Sequence, residues 1–264
     1  MDNQVFSITF AERVENHKGM QIIGKEIETG LGENEFDNCI NYCQKNQLKY
    51  ELHDLTEHLS ENEKKDIIKI NGLLPFTQVL VIKNGIDGIM GEGSMAKLFE
   101  EQKSMPCDRK VWMRGRVVNK KARWNNCYAD FDQAPDYENK KGTVISFDRV
   151  PLLNQLRDVL PDIYGERTKN LFAEMNYYYD LKNCYIGYHG DAERKIVICT
   201  RLGDDMPIFF RWHHGSEKVG SEVKIELMGG DIYCMSFKAT GNDWRKRKIY
   251  TLRHAACLDE NLLK

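Results

Sequence analysis

The sequence lacks the marks of several large protein classes. Its eight cysteines include no Cys-x-x-C pair, which argues against a zinc ribbon or a dithiol redox centre. It holds no apolar run long enough to cross a bilayer, and its first residues lack the basic and apolar segments of a secretory signal. We therefore expect a cytoplasmic protein with reduced cysteines and no membrane association.

A strong bias of charge is absent as well, since 38 Lys and Arg residues oppose 40 Asp and Glu residues. This balance excludes a dedicated DNA-binding module, which would carry a clear excess of basic residues. The charge is nevertheless uneven along the chain. Residues 1–105 hold 11 basic and 18 acidic side chains, whereas residues 106–264 hold 27 and 22. This asymmetry predicts two domains that meet near residue 105 and gives the second a mild attraction for anions.

Patterns in residues 1–105 predict alternating strands and helices. In chain order we expect a strand over 5–10, a helix over 35–46, a strand over 50–55, a helix capped by Ser60 and Glu63 that ends at Asn71, a hairpin of 79–82 and 85–90, and a helix over 94–102. This α/β order resembles the thioredoxin/glutaredoxin fold. Cys39 and Cys43 lie one helical turn apart on an apolar stripe, which favours core packing over redox chemistry. We therefore expect a redox-inactive thioredoxin-like domain that supports the second domain or binds a protein partner, and that is dispensable for metal binding.

Residues 106–264 contain several short apolar or alternating segments separated by turn residues. These segments cover residues 174–180, 185–191, 196–203, 209–212, 223–227, 229–236 and 249–254. Many short strands with turns between them predict a mainly-β domain, either a sandwich or a barrel.

One motif in this half has the chemistry of a metal site. His189-Gly190-Asp191 lies in a strand segment, and His254 follows 63 residues after the aspartate. Two imidazoles and one carboxylate on one face of an ion suit Fe(II) and leave three positions for other ligands. His213 and His214, in a His-His-Gly turn, are competing third ligands.

The order of motifs around this triad resembles that of the AlkB-like Fe(II)/2-oxoglutarate oxygenases. Asn176-x-Tyr178 precedes His-x-Asp, Leu202-Gly203 ends the following strand, and Gly230-Asp231 precedes the distal histidine. The resemblance implies a double-stranded β-helix, or jelly-roll, over residues 106–264. It also implies that Fe(II), O2 and the co-substrate 2-oxoglutarate oxidise a C–H bond of the substrate, by hydroxylation or demethylation. Asn176 and Tyr178 would then form hydrogen bonds to 2-oxoglutarate.

The positions of the arginines that could bind 2-oxoglutarate differ from the family pattern. That family has arginines beyond the distal histidine that bind the co-substrate, whereas no arginine follows His254 here. A buried carboxylate needs a cationic partner, so the charge must come from another position. Arg201, ten residues after Asp191, is the expected partner, and Arg211 and Arg253 are the alternatives.

Basic and aromatic residues alternate in two segments, residues 114–124 and 244–245, and this pattern has two interpretations. Either they contact an anionic or flat substrate, or they form a solvated basic surface; the residues are Arg114, Arg116, Trp124, Trp244 and Arg245. Two substrate classes fit, namely a methylated nucleobase in a nucleotide or nucleic acid, and a small molecule or amino acid. A third interpretation assigns no activity: a thioredoxin-like interaction protein that carries a catalytically inactive jelly-roll.

Overall fold

The computed structural model describes residues 3–263, which form a mixed α/β structure dominated by β-sheet. The strands are β1 Val5–Ala11, β2 Arg13–Glu15, β3 Ile22–Gly24, β4 Tyr50–Asp54, β5 Gln78–Ile82, β6 Lys110–Met113, β7 Arg116–Asn119, β8 Trp124–Ala129, β9 Val144–Ser146, β10 Phe172–Tyr178, β11 Ile186–His189, β12 Val197–Gly203, β13 Ile208–His214, β14 Glu217–Ile225, β15 Ile232–Met235 and β16 Tyr250–Ala256. The α-helices are α1 Glu33–Lys45, α2 Glu61–Asn71, α3 Gly85–Met90, α4 Ser94–Lys103 and α5 Pro151–Tyr164.

Two sheets of unequal size carry most of these strands. The large sheet has eight strands in the order β4-β5-β15-β12-β1-β10-β8-β9, and the small sheet has four in the order β11-β16-β13-β14. Neighbouring strands are antiparallel except for the parallel pair β8 and β9. The short hairpins β2–β3 and β6–β7 lie outside both sheets.

The large sheet is buried on both of its faces. Along β5, Leu80 and Ile82 pack with the helices, whereas Val79 and Val81 pack against residues of the small sheet such as Phe210. Successive side chains of a strand point to opposite faces, so one apolar strand contributes to two cores. The structure therefore has a layer of helices, a large sheet and a small sheet.

The strands of residues 1–105 belong to this shared large sheet. β1 lies between β10 and β12, and β5 pairs with β15, so neither strand belongs to a separate N-terminal sheet. The expectation of a self-contained thioredoxin-like domain over residues 1–105 is therefore corrected, because its strands complete the same sheet as those of the second half. Phe6, Ile8 and Phe10 alternate with Ser7 and Thr9, a pattern that identifies a strand but not its partners.

The local predictions in this region have mixed outcomes. Ser60 and Glu63 form the expected capping box at the start of α2, and Cys39 and Cys43 are fully buried in the core, as the apolar stripe predicts. The hairpin over 79–82 and 85–90 is wrong, because residues 85–90 form α3. Ile86, Ile89 and Met90 have helical spacing and pack into the core from one face.

Within residues 3–263, no helix has both the length and the apolar character that a bilayer crossing requires.

A fragment of residues 106–264 is expected to lose cooperative folding. Removing β1 leaves β10 and β12 with unpaired edges in the middle of the sheet, and removing β5 exposes β15. Circular dichroism with thermal unfolding, compared between the fragment and the full chain, measures this loss. Co-expression of residues 1–105 as a separate chain is the control and should restore the transition. One cooperative transition in the fragment alone would contradict the prediction.

Candidate functional site

His189, Asp191 and His254 come together at one end of the two sheets. His189 ends β11 and pairs directly with His254 on β16, while Asp191 lies in the turn after β11. Asp191 Oδ1 is 3.5 Å from His189 Nε2 and 3.7 Å from His254 Nε2. The three potential ligand atoms lie within 4.8 Å of one another, which allows a single ion to contact all of them.

Hydrogen bonding and electrostatics favour the protonation states that a metal needs. His189 Nδ1 donates to the Gly187 carbonyl at 2.8 Å, so Nε2 is the ring nitrogen directed at Asp191. Burial alone would raise the pKa of the Asp191 carboxyl, but His254 and Arg194 hold that pKa well below its usual range. Burial and the neighbouring His189 lower the pKa of the His254 imidazole. A carboxylate and a neutral imidazole are the forms that bind metal.

The segment between β15 and β16 holds the turn that carries Asp191. The Asp191 amide donates to the Thr240 carbonyl at 2.9 Å. The Asn242 side-chain amide donates to three carbonyls of the turn, those of Asp191, Ala192 and Arg194, at 3.1, 3.3 and 3.0 Å. A Cβ at Gly190 would lie 2.1 Å from the Gly241 carbonyl oxygen, so only glycine permits this close approach. The segment that separates Gly230-Asp231 from His254 therefore fixes one of the three candidate ligands.

A cavity of about 530 Å³ opens beside the triad. Its floor is the large sheet, from which alternate residues of four strands project. Asn176, Ser7 and Arg201 lie in register across β10, β1 and β12. The other floor residues from these strands and from β15 are Thr9, Glu174, Tyr178, Val197, Tyr233 and Met235. Asn176, Tyr178 and Arg201, which the sequence assigns to the co-substrate, thus line one cavity with the triad.

Arg201 is buried in this cavity without a counter-charge. Its residue is 1% exposed, and its Nε and Nη1 atoms have no hydrogen-bond partner. No carboxylate of the described residues lies within ion-pair distance of it, and its nearest aromatic contact is the Tyr233 ring at 5.9 Å. Arg211 donates to the Gly220 carbonyl and Arg253 to the Gly215 carbonyl, and neither lines the cavity. Of the three arginines, Arg201 alone faces the triad.

The alternative third ligands lie outside the triad. His213 pairs with Thr251 along β13, and burial lowers its pKa to about 4. His214 stacks on the Tyr250 ring with a centroid distance of 4.6 Å. Neither histidine belongs to the group of potential ligand atoms around Asp191.

The five candidate substrate residues divide into two groups. Trp244 and Arg245 line the cavity beside Gly190. Arg114 and Arg116 do not, because they are exposed on the β6–β7 hairpin. Trp124 does not line it either.

The Trp124 ring is occupied by packing. It stacks on Tyr179 at 4.1 Å and carries the Arg109 guanidinium 4.0 Å above it. Of the two interpretations, substrate contact is therefore corrected for Arg114, Arg116 and Trp124, which lie outside the cavity. Alternation of basic and aromatic residues does not distinguish a cavity wall from a surface.

Sequence reasoning missed several charged residues of the cavity. Arg194 forms a buried ion pair with Glu174, a second one with Glu193 at 2.7 Å, and lies 3.9 Å from Asp191 Oδ2. Glu174 shares the strand face of Asn176 and Tyr178, so strand alternation was the signal that could have found it. Arg123, which belongs to the stretch of alternating basic and aromatic residues before Trp124, also lines the cavity, together with Glu15 and His17.

Comparison with known proteins identifies a relative but no activity. No protein-family profile matches the chain. The uncharacterized protein R156 of Acanthamoeba polyphaga mimivirus is 38% identical over 257 residues, which cover 97% of each chain. The similarity therefore extends over nearly the whole of both chains. The chain belongs to the same family as this mimivirus protein.

Proposed function

We propose that the protein is an Fe(II)/2-oxoglutarate-dependent oxygenase. The observation that carries the proposal is the pairing, in one cavity, of a two-histidine, one-carboxylate group with a buried arginine that has no counter-charge. The first suits a metal ion with open positions, and the second suits a carboxylate ligand bound beside it. The buried arginine does not contribute to stability on its own, since an unpaired buried guanidinium destabilises the folded state.

We further propose that the two sheets form the double-stranded β-helix of the AlkB-like enzymes. In support, His-x-Asp ends a strand of the small sheet and the distal histidine lies on the adjacent strand of the same sheet. Asn176, Tyr178 and Arg201 face these ligands from the large sheet. β1 would then be a strand of the β-helix itself, because it lies between β10 and β12.

The donor set fits Fe(II). It contains two imidazoles and one carboxylate but no thiolate, and the described cysteines lie outside the group. Bound iron would supply the activation of O2 that the oxidation of a C–H bond requires. The protein holds the ligands in place: Arg194 lies near Asp191 Oδ2, which directs Oδ1 toward the two histidines.

The cavity fits 2-oxoglutarate. Arg201 would bind the carboxylate far from the metal through its planar pair of N–H donors, and the Tyr178 phenol, which lines the same cavity, would assist. The Asn176 side chain already has partners, since it accepts from Arg123 Nε at 2.7 Å and donates to Glu174 at 3.3 Å. Asn176 would therefore contribute mainly by orienting these two charged side chains.

Single substitutions of the triad are expected to abolish Fe(II) binding. His189→Ala, Asp191→Ala and His254→Ala each remove one of three ligands that must act together on one face of the ion. Anaerobic Fe(II) titration and succinate release from 2-oxoglutarate measure the loss. His214→Ala is the matched control and should keep wild-type affinity. A wild-type protein that binds no Fe(II) would favour an interaction protein with an inactive jelly-roll instead.

Arg201→Met is expected to raise the apparent dissociation constant of 2-oxoglutarate by on the order of a hundredfold, since losing a buried charge partner costs a few kcal/mol. The Fe(II) affinity should stay nearly unchanged. Without ligand, the variant should unfold at a higher temperature than wild type, because methionine replaces an unpaired buried charge. Calorimetry under anaerobic conditions and thermal unfolding check both effects.

Arg211→Ala is the control for this variant, because Arg211 lies outside the cavity. An unchanged 2-oxoglutarate constant in Arg201→Met, together with a loss in Arg211→Ala, would overturn the assignment.

A further inference from the structure

We propose that Arg123 forms a second anion subsite in the cavity, which binds a carboxylate or phosphate group of the substrate. The inference rests on the proposed function and extends it to the class of substrate. Two guanidinium groups of the cavity would then bind different ligands: Arg201 would bind the co-substrate and Arg123 the substrate.

The strand order separates the two arginines. Arg123 immediately precedes β8, and the register of Trp124 with Tyr177 brings Arg123 opposite Tyr178 on β10. β10 and β1 lie between β8 and β12 in the large sheet. The backbones of β8 and β12 are therefore three strand spacings apart, or about 14 Å. The two side chains therefore enter the cavity from opposite sides of its floor.

Arg123 is oriented by the protein but not neutralised by it. Its Nε donates to Asn176 Oδ1 at 2.7 Å, and the Asn176 amide is held in turn by Glu174. Its two terminal nitrogens make no hydrogen bond to the described residues, and no carboxylate among those residues lies within 4.0 Å. A guanidinium fixed at Nε with free terminal nitrogens offers a planar fork for an oxyanion.

The charge balance of the cavity favours an anionic substrate. The lining cations without a carboxylate partner among the described residues are Lys18, Arg123, Arg201 and Arg245. Among the lining carboxylates, Glu174 and Glu193 are paired with Arg194, and Asp191 faces the histidines. Glu15 accepts from the Gly19 amide at 2.6 Å, and burial raises its pKa to about 7. Positive charge therefore remains after the co-substrate neutralises Arg201.

The probes for this subsite are methyl phosphate and acetate, which carry the two anionic groups without further chemistry. Each is titrated into the full-length protein under anaerobic conditions, with Fe(II) bound and 2-oxoglutarate saturating. Broadening of the probe's NMR signals by Fe(II) measures binding close to the metal. Wild type should give saturable broadening, and the stronger of the two probes identifies the substrate's anionic group.

Arg123→Ala should weaken binding of the preferred probe roughly tenfold or more, and Arg123→Lys should restore part of it, because the positive charge returns without the fork. Arg116→Ala, an exposed arginine outside the cavity, is the matched control. All variants should keep one cooperative thermal transition and Fe(II) and 2-oxoglutarate constants close to those of wild type, which separates lost binding from lost structure.

Equal broadening in wild type and Arg123→Ala would overturn the proposal. Probe binding that is seen without 2-oxoglutarate but abolished by saturating 2-oxoglutarate would also overturn it, since the anions would then bind at Arg201 alone. If wild type binds no Fe(II), the proposed function fails separately. The same titration by calorimetry without metal then still decides whether Arg123 binds an anion.

Discussion

The hydrogen-bonded position of β1 between β10 and β12 is the constraint on which the rest of the structure depends. β10 carries Glu174, Asn176 and Tyr178, and β12 carries Arg201, so β1 sets the distance between the two groups of cavity residues. Its other face carries Phe6, Ile8 and Phe10 into the core with the helices. One strand therefore joins the helical layer, the large sheet and the cavity floor, and the two halves of the sequence form one cooperative unit.

The charges that line the cavity are distributed unevenly over its floor. Beside the triad, three carboxylates, those of Glu174, Glu193 and Asp191, share the single guanidinium of Arg194, so an excess of negative charge remains there. Two strands away, Arg201 has no counter-charge at all. Burying an ion without a partner costs several kcal/mol, and such a cost is retained where a ligand supplies the missing charge. The contrast between an acidic end that suits a cation and an unpaired arginine that suits an anion is the physical basis of the proposed metal and co-substrate sites.

The candidate site was more predictable from sequence than the domain organisation. His189, Asp191 and His254 could be found because ligand chemistry and strand spacing restrict which residues can share an ion, and Arg201 because a missing charge had to be supplied. The position of β1 in the large sheet could not be predicted. Alternation within a strand contains no information about its partner strand, and β10 lies more than 160 residues away in the sequence. α3 was missed because residues 85–90 were predicted as the second strand of a hairpin, whereas tertiary packing of Ile86 and Met90 favours a helix.

The choice of Arg201 as the unpaired cation follows from the position of β1. In the resembling family, arginines beyond the distal histidine supply the charge for 2-oxoglutarate, but here the strand between β10 and β12 comes from the start of the chain and contributes only Ser7 and Thr9 to the floor. Ser7 is in register with Arg201 on one side and Asn176 on the other. A small side chain at that position leaves the space above β1 open, so that the long side chain of the neighbouring strand can reach into the cavity. An unpaired guanidinium at this part of the floor therefore depends on both features together, a small residue on β1 and an arginine on β12.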